Sequence, residues 1–356
     1  MDGSPLVVEA LRERLRVDGA VSFEELMELA LYHRDGGLYR RLVPSLGHGA
    51  HYTTCARLDP ALGVAIARWL ALGWRQALGS PRRWHVIEVG GGDGSLAQAV
   101  LDALPRSLRR SVVYHMVEIS EPAQAAQRAR LGRRVRWAPN VASALRLCRG
   151  EALLLSNELV DAFPAMALAR RGDQWWEVWL ELRGDRLVEA LRPAAEWLDA
   201  PGAYSLAELK GVPEATRAEV HRTYRSWLDS WMPLHRRGWT LTIDYGDEVE
   251  ALYGRGGGGT LRGYFANFRI EERDELYRRI GLQDLTCDVN FTDLGRWGER
   301  HGWTTEALLT QRELLERFDV DLTSEAGSSA LEFIARTGGA GTAFRALWQT
   351  RVGFLS

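Results

Sequence analysis

At 356 residues with 46% hydrophobic content the chain is long enough to bury a full core, and its formal net charge of −2 gives no electrostatic case for a nucleic-acid or membrane-surface partner. Lys210 is the one lysine, a bias of coding composition rather than a binding feature, and the pairs Arg133-Arg134 and Arg236-Arg237 are too short for a phosphate-binding patch. No apolar run approaches the roughly 20 residues that cross a bilayer, Met1 to Pro5 lacks a basic signal-peptide start, and charges interrupt Leu6 to Leu15, so a cytoplasmic protein is expected.

From the N-terminus to about Gly79 the pattern is helical, with apolar residues at Val21, Leu26, Met27, Leu29, Ala30 and Tyr32, then from Leu62 through Trp69, Leu72 and Trp74. Residues 1–80 are expected to form a helical cap or lid. Within it Gly47 to Thr54 reads as a polar glycine loop, and His48 and His51 lack the Cys or carboxylate partners of a metal site. Trp84 to Val89 are β-formers, Gly90-Gly91-Gly92-Asp93-Gly94 breaks the chain, and Ser95 to Leu101 return to helix formers, which places the glycines at a strand-to-helix turn. Glycine there permits positive φ and lets a ligand reach the backbone, although tight turns also need glycine for steric reasons alone.

A second strand, Ser111 to Ile119, carries Glu118 thirty positions after Glu88, where a carboxylate can accept hydrogen bonds from both hydroxyls of a ribose. A third, from Glu151, runs into Asn157, Glu158 and Asp161 at the same C-terminal sheet edge; the competing reading has Ser156 and Asn157 capping a short helix from Glu158. Ala167 to Leu182 and Arg186 to Ala190, set off by glycine turns, suggest an antiparallel meander in which Trp175, Trp176 and Trp179 pack against neighbours. Pro213 to Leu234 reads as helical, and Trp239 to Gly246 as a late core strand that delivers Asp244 and Tyr245 to the ligand edge. The glycine-rich loop Tyr253 to Thr260 is either a flap over an acceptor or a plain connection, and Glu271 to Ser356 completes the sheet. The cysteines Cys55, Cys148 and Cys287, odd in number and far apart, read as reduced thiols.

Two cofactor classes use a glycine turn followed by an acid. Gly92-Asp93-Gly94-Ser95-Leu96-Ala97 fits the dinucleotide pattern, but the ribose acid of that pattern is expected roughly 20 residues on, and Glu118 comes later. An acid just before the first glycine, as Glu88 is, has no role in that pattern. It suits S-adenosylmethionine (SAM), whose ammonium and sulfonium a carboxylate stabilises.

The segments Glu88-Val-Gly-Gly-Gly-Asp-Gly-Ser-Leu, Val117-Glu-Ile-Ser, Ser156-Asn-Glu-Leu-Val-Asp-Ala-Phe-Pro and Ile243-Asp-Tyr-Gly, in this order, resemble the MidA-like family of SAM-dependent methyltransferases. The likeness extends to Gly49 to Thr54, Gly259 to Arg262, Asp284 to Phe291 and Leu309 to Gln311, and so covers most of the chain. It implies an α/β, Rossmann-like methyltransferase sheet with an N-terminal helical cap and an inserted small antiparallel β/helical subdomain. The expected divisions are a cap over 1–80, the first part of the SAM-binding core over 81–165, an insert over 166–237, and the rest of the core over 238–356. Cofactor contacts are expected from Tyr52, Thr53, Thr54, Glu88, Gly90, Gly92, Gly94, Glu118, Ile119 and Asn157, and catalytic acids from Glu158, Asp161, Asp244 and Asp288. A family member in mitochondria methylates an arginine of a respiratory complex I subunit. Three departures fall on the acceptor side: Ala50 for an acid, Asp288 for a histidine and Asn290 for an acid, while Gly91 replaces the usual proline of the turn.

Methyl transfer from a sulfonium is an in-line displacement that needs alignment and exclusion of water but no metal. A protonated guanidinium acceptor additionally needs carboxylates to hold it. The expected activity is therefore methyl transfer to an N or O acceptor, a protein arginine side chain by family precedent or a small molecule. The alternatives are a SAM-binding assembly factor without turnover and an NAD-dependent oxidoreductase. The oligomeric state is left open, a homodimer included.

Overall fold

The computed structural model describes residues 1–41, 60–194, 198, 202–266, 268–322 and 340–351. Its strands, in chain order, are β1 (Ala20–Ser22), β2 (Trp84–Val89), β3 (Val112–Val117), β4 (Val135–Ala138), β5 (Glu151–Asn157), β6 (Met166–Arg171), β7 (Gln174–Arg183), β8 (Arg186–Pro193), β9 (Arg217–Val220), β10 (Arg237–Asp247), β11 (Arg262–Phe265), β12 (Phe268–Ile270), β13 (Asp284–Thr286), β14 (Val289–Asn290), β15 (Thr304–Thr310) and β16 (Phe344–Arg351). Two units emerge, each assembled from three segments. One, the sheet unit, comprises Thr53–Leu159, Trp227–Tyr245 and Leu294–Ser356; the other, the meander unit, comprises Met1–Tyr52, Val160–Ser226 and Gly246–Asp293.

The sheet unit is built on the order β15-β16-β10-β5-β2-β3-β4. Strands β10, β5, β2, β3 and β4 run parallel, and β16 lies antiparallel between β10 and β15. Parallel strands are covered on both faces, which explains why Ala152 to Leu155 reads as an unbroken apolar run and is buried throughout. Helix Ala61–Gln76 covers one face, with Trp69 packed against Trp239 and Trp348 at ring-centroid distances of 5.7 and 6.4 Å. Strand order reverses between β2 and β5, and open α/β sheets bind ligands at the C-terminal ends of the strands flanking such a reversal.

In the meander unit, β7 pairs antiparallel with β6, β8 and β1. Gly172-Asp173 and Gly184-Asp185 form two-residue hairpin turns, with φ of 55° and 63° at the glycines, a region that favours glycine. Helices Pro5–Asp18 and Phe23–Tyr32 bury Val7, Leu11, Leu26 and Met27 in a core shared with Val178 and Leu180 of β7. The tryptophans pack as expected. Trp175 is buried under the Arg170 guanidinium, and Arg192 lies 3.9 Å over the Trp179 ring.

Two expectations change. The segment over 1–80 is not one helical cap: its first helices belong to the meander unit, where β1 pairs with β7, while Ala61–Gln76 belongs to the sheet unit because its tryptophan packs on β10 and β16. The chain from Pro213 to Leu234 is helical only from Arg222; before it, Arg217–Val220 is β9, drawn into the sheet by pairing with β6. Tertiary pairing overrides local helical preference here. Among the described residues no helix is long and apolar enough to cross a membrane.

Candidate functional site

Strand β2 ends at Val89, and the turn after it takes φ of 70° at Gly90, 52° at Gly92 and 82° at Gly94, all in the left-handed region. Gly94 caps helix Ser95–Ala103, Ser95 N donates to Asp93 Oδ1 at 3.0 Å, and Arg130 Nη2 donates to Asp93 Oδ2 at 2.9 Å. The turn is thus braced from the helix that follows β3. Among the described residues an ideal Cβ at Gly92 would meet no heavy atom within 4 Å, so the turn is open at that residue; at Gly90 it would lie 2.7 Å from Leu159 Cδ1. At Gly91 it would come within 2.1 Å of Met116 Cε, so a proline there requires that flexible methyl to move.

Glu88 is 2% exposed and accepts from Tyr114 Oη at 2.6 Å. Burial raises its pKa to about 7 against the pull of that hydrogen bond, and the neighbouring Glu118 adds to the rise. Glu118 is half-buried at the end of β3, with Oε1 accepting from Ser120 N at 2.9 Å and Oε2 from Gln127 Nε2 at 3.3 Å. Its pKa too is raised by burial. Ile119 beside it is 47% exposed, an apolar side chain left uncovered at the ligand edge.

At the end of β5, Asn157 still belongs to the strand and Glu158 adopts φ 52°, strained for a residue with a side chain. Glu158 N donates to Ile243 O at 2.9 Å, and Asn157 Nδ2 donates to Glu158 Oε1 at 3.1 Å. Among the described residues Asn157 Oδ1 is buried with no hydrogen-bond partner, which the reading of Ser156 and Asn157 as helix caps does not account for. Asp244, expected among the catalytic acids, is fully enclosed; Oδ2 accepts from Leu159 N at 3.1 Å and Oδ1 from Tyr245 N at 2.9 Å. Its place is under the backbone of the turn rather than at an open surface.

The other two expected acids lie in the meander unit. Asp161 accepts from Thr286 Oγ1 at 2.9 Å, and burial raises its pKa. Asp288 pairs with Arg262, which is 5% exposed. Asp284 joins this group: Tyr39 Oη donates to it at 2.8 Å, and burial together with Asp161 raises its pKa to about 7. Asn290 has a different part from the one expected. It caps helix Phe291–Arg300, with Oδ1 accepting from Thr292 N at 3.1 Å and Nδ2 donating to Ser205 Oγ at 2.9 Å. The loop before Thr260 is anchored, since Thr260 Oγ1 donates to Glu219 Oε2 at 2.8 Å and Arg217 N to Gly257 O at 2.9 Å. Tyr52, Thr53, Thr54, Ala50, His48, His51 and Cys55 lie outside the described residues.

Sequence reading singled out neither Tyr114 and Gln127 of the sheet unit nor Tyr39 and Asp284 of the meander unit. The one signal for Gln127 is a polar residue on the otherwise apolar stripe Ala123, Gln127, Leu131 of helix Glu121–Leu131. For Tyr39 no local pattern exists, because its partner is 245 residues away.

A mixed sheet with a parallel core, a glycine turn open at Gly92, a strand-ending carboxylate, an exposed apolar neighbour and, among the described residues, a buried amide oxygen without a partner fits SAM, and the class is a Rossmann-like SAM-dependent methyltransferase. The family model described as "Putative S-adenosyl-L-methionine-dependent methyltransferase" matches residues 65–309, and the chain belongs to that family, the MidA-like methyltransferases. Among curated relatives, the Caenorhabditis elegans protein arginine methyltransferase NDUFAF7 homolog, mitochondrial, is 23% identical over 79% of this chain and 69% of its own length. The Drosophila melanogaster homolog is 22% identical over 84% and 71%. A Burkholderia thailandensis protein whose crystal structure holds S-adenosyl-homocysteine matches the fold with a TM-score of 0.83 at 24% identity, covering 97% of this chain and 92% of that one.

Proposed function

We propose that the chain methylates a nitrogen of a protein side chain, arginine being the acceptor class, with Glu158 as the carboxylate that handles the acceptor. The end of β5 carries this reading: a strained Glu158, its Oε1 fixed by Asn157, stands next to a buried oxygen that lacks a partner. Strain of this kind persists where function requires it. SAM supplies an electrophilic methyl on a sulfonium. Gly90, Gly92 and Gly94 would admit it to the backbone, Glu118 would hold the ribose hydroxyls, Ile119 would lie against the adenine, and Glu88 and Asn157 would face its cationic end.

Glu158 would hold an N–H of the acceptor and accept its proton as the nitrogen bonds to the methyl carbon and the carbon–sulfur bond breaks with its electron pair staying on sulfur. Asp244 acts through others: by binding the Leu159 and Tyr245 amides it sets the turn that carries Glu158. The relatives' names as protein arginine methyltransferases support the acceptor class. A cytoplasmic location belongs to the same proposal; the relatives carry mitochondrial names, and fractionation of cells expressing a tagged chain decides between the compartments.

The test is incubation with methyl-labelled SAM and host lysate. Label should enter protein and be recovered as methylarginine after acid hydrolysis, and Glu158→Ala should remove it while SAM still binds. Label confined to small molecules, or an unaffected rate in Glu158→Ala, would overturn the assignment.

A further inference from the structure

Gln127 is fully buried, and a buried amide needs partners for its oxygen and for both Nε2 hydrogens. It has them. Trp137 Nε1 donates to Oε1 at 2.9 Å, and Nε2 donates to Gly92 O at 2.9 Å and to Glu118 Oε2 at 3.3 Å. Direction in this chain is fixed at both ends, because an indole N–H only donates while a carbonyl and an ionised carboxylate only accept. The amide therefore has one orientation. Trp137 is itself held, with the Arg128 guanidinium 4.3 Å over its ring.

The consequence falls on two groups at once. Gly92 O belongs to the glycine turn and Glu118 to the end of β3, so one side chain ties the turn to the acid. A carboxylate that must accept from two vicinal hydroxyls needs its plane set; the Ser120 amide holds Oε1 and Gln127 holds Oε2, and with Oε2 released the plane can tilt about the remaining bond and discrimination between one hydroxyl and two weakens. We propose that Trp137 and Gln127 form a positioning relay that orients Glu118 against Gly92 and gives the site its selectivity for a ribose over a 2′-deoxyribose. The inference rests on the assignment of Glu118 to the cofactor ribose.

The measurement is the ratio of dissociation constants for S-adenosyl-homocysteine and its 2′-deoxy counterpart, by calorimetry on the full chain. Trp137→Phe keeps a flat ring beneath Arg128, deletes the donor and gives up part of the ring's packing. It should lower the preference for ribose by about 3- to 10-fold, the worth of one neutral hydrogen bond; the melting temperature should fall too, because the buried Gln127 Oε1 loses its donor, but the preference is a ratio within one variant and is not moved by that loss of stability. Gln127→Glu, which turns an acceptor toward Glu118 and Gly92 O, should lower it further. In a Glu118→Ala background Trp137→Phe should have no additional effect. An unchanged preference in Trp137→Phe, or the same loss in the Glu118→Ala background, sinks the relay. If Glu118→Ala leaves both affinities intact, the ribose assignment fails and takes the relay with it; a Glu118→Ala loss beside a silent Trp137→Phe rejects the relay alone.

Discussion

Two glycines of the sheet unit separate the ligand role proposed for the turn from a folding role. Gly92 has φ 52° with empty space at its Cβ position, whereas a Cβ at Gly238, φ 142°, would lie 1.7 Å from Ala152 O. Gly92→Ala therefore costs about 1–2 kcal/mol of backbone strain and should still fold, but its methyl occupies the cofactor's approach, and SAM affinity should fall at least about tenfold. Gly238→Ala should not fold, since the clash is with backbone. Calorimetry and thermal melting of the two variants check this; unchanged SAM affinity in Gly92→Ala would remove the turn from the cofactor site. Glu88 gives a pH signature. Its folded pKa of about 7 stands above the ordinary 4.5, so between those values the folded chain holds a proton the unfolded chain has released, and stability falls as pH rises through the window. Asp284, raised to about 7 as well, adds to the slope. Glu88→Gln is permanently neutral, and its melting temperature should drop less than wild type between about pH 5 and about pH 8; an identical drop would show that Glu88 is not the source. At this scale Glu88, Glu118 and the glycines were legible because neighbours in sequence make the pattern. Tyr114, Gln127 and Tyr39 were not, because each becomes informative only through a partner on another strand or helix.

Between β5 and β10 the turn that carries Glu158 is fastened from both sides. Glu158 N reaches back to Ile243 O of β10, and the next residue of β10, Asp244, takes the Leu159 amide; the Leu159 side chain in turn lies where a Cβ on Gly90 would be. Displacing this turn disturbs Glu158 and the roof of the glycine turn together. Asp244→Asn keeps one acceptor but turns an amide N–H toward a backbone N–H, losing a hydrogen bond to a charged group of about 1.5–3 kcal/mol. It should lower kcat and raise the KM for SAM together, each by roughly tenfold, while Glu158→Ala lowers kcat with little change in KM. Steady-state kinetics with labelled SAM distinguish them; a pure kcat effect in Asp244→Asn would make it a residue at the reacting atoms. Strand ends of this sort were readable in sequence, since apolar runs stop at Glu88, Glu118, Asn157 and Asp244. That Asp244 faces inward was not, for strand alternation names two faces without saying what backbone lies beyond the last residue. Strand β9 was missed for a related reason: Arg217–Val220 is too short to show a period and is defined by β6.

Across the whole molecule, neither unit is contiguous in sequence, and local patterns have no means of announcing that. The segment 81–165, expected as the first part of the core, contains β2, β3, β4 and β5 but not the partners that close it. Strand β5 pairs with β10 from Arg237↔Glu151 to Ile243↔Asn157, and β10 pairs in turn with β16. Helix Ala61–Gln76, with Trp69 against Trp239 and Trp348, is missing as well. Expressed alone, residues 81–165 would present β5 as an unpaired edge, with one apolar sheet face stripped of its helix, a template for aggregation rather than a fold. The fragment carries the glycine turn, Glu88, Glu118, Asn157 and Glu158, so every cofactor residue expected within it is present, and the sole loss is support. Circular dichroism on heating should show no cooperative transition for the fragment, and calorimetry no SAM binding, whereas the full chain should give both. Cooperative melting with SAM affinity near that of the full chain would mean that β10 and the tryptophan cluster are dispensable, and that the cofactor half of the sheet is a domain in its own right.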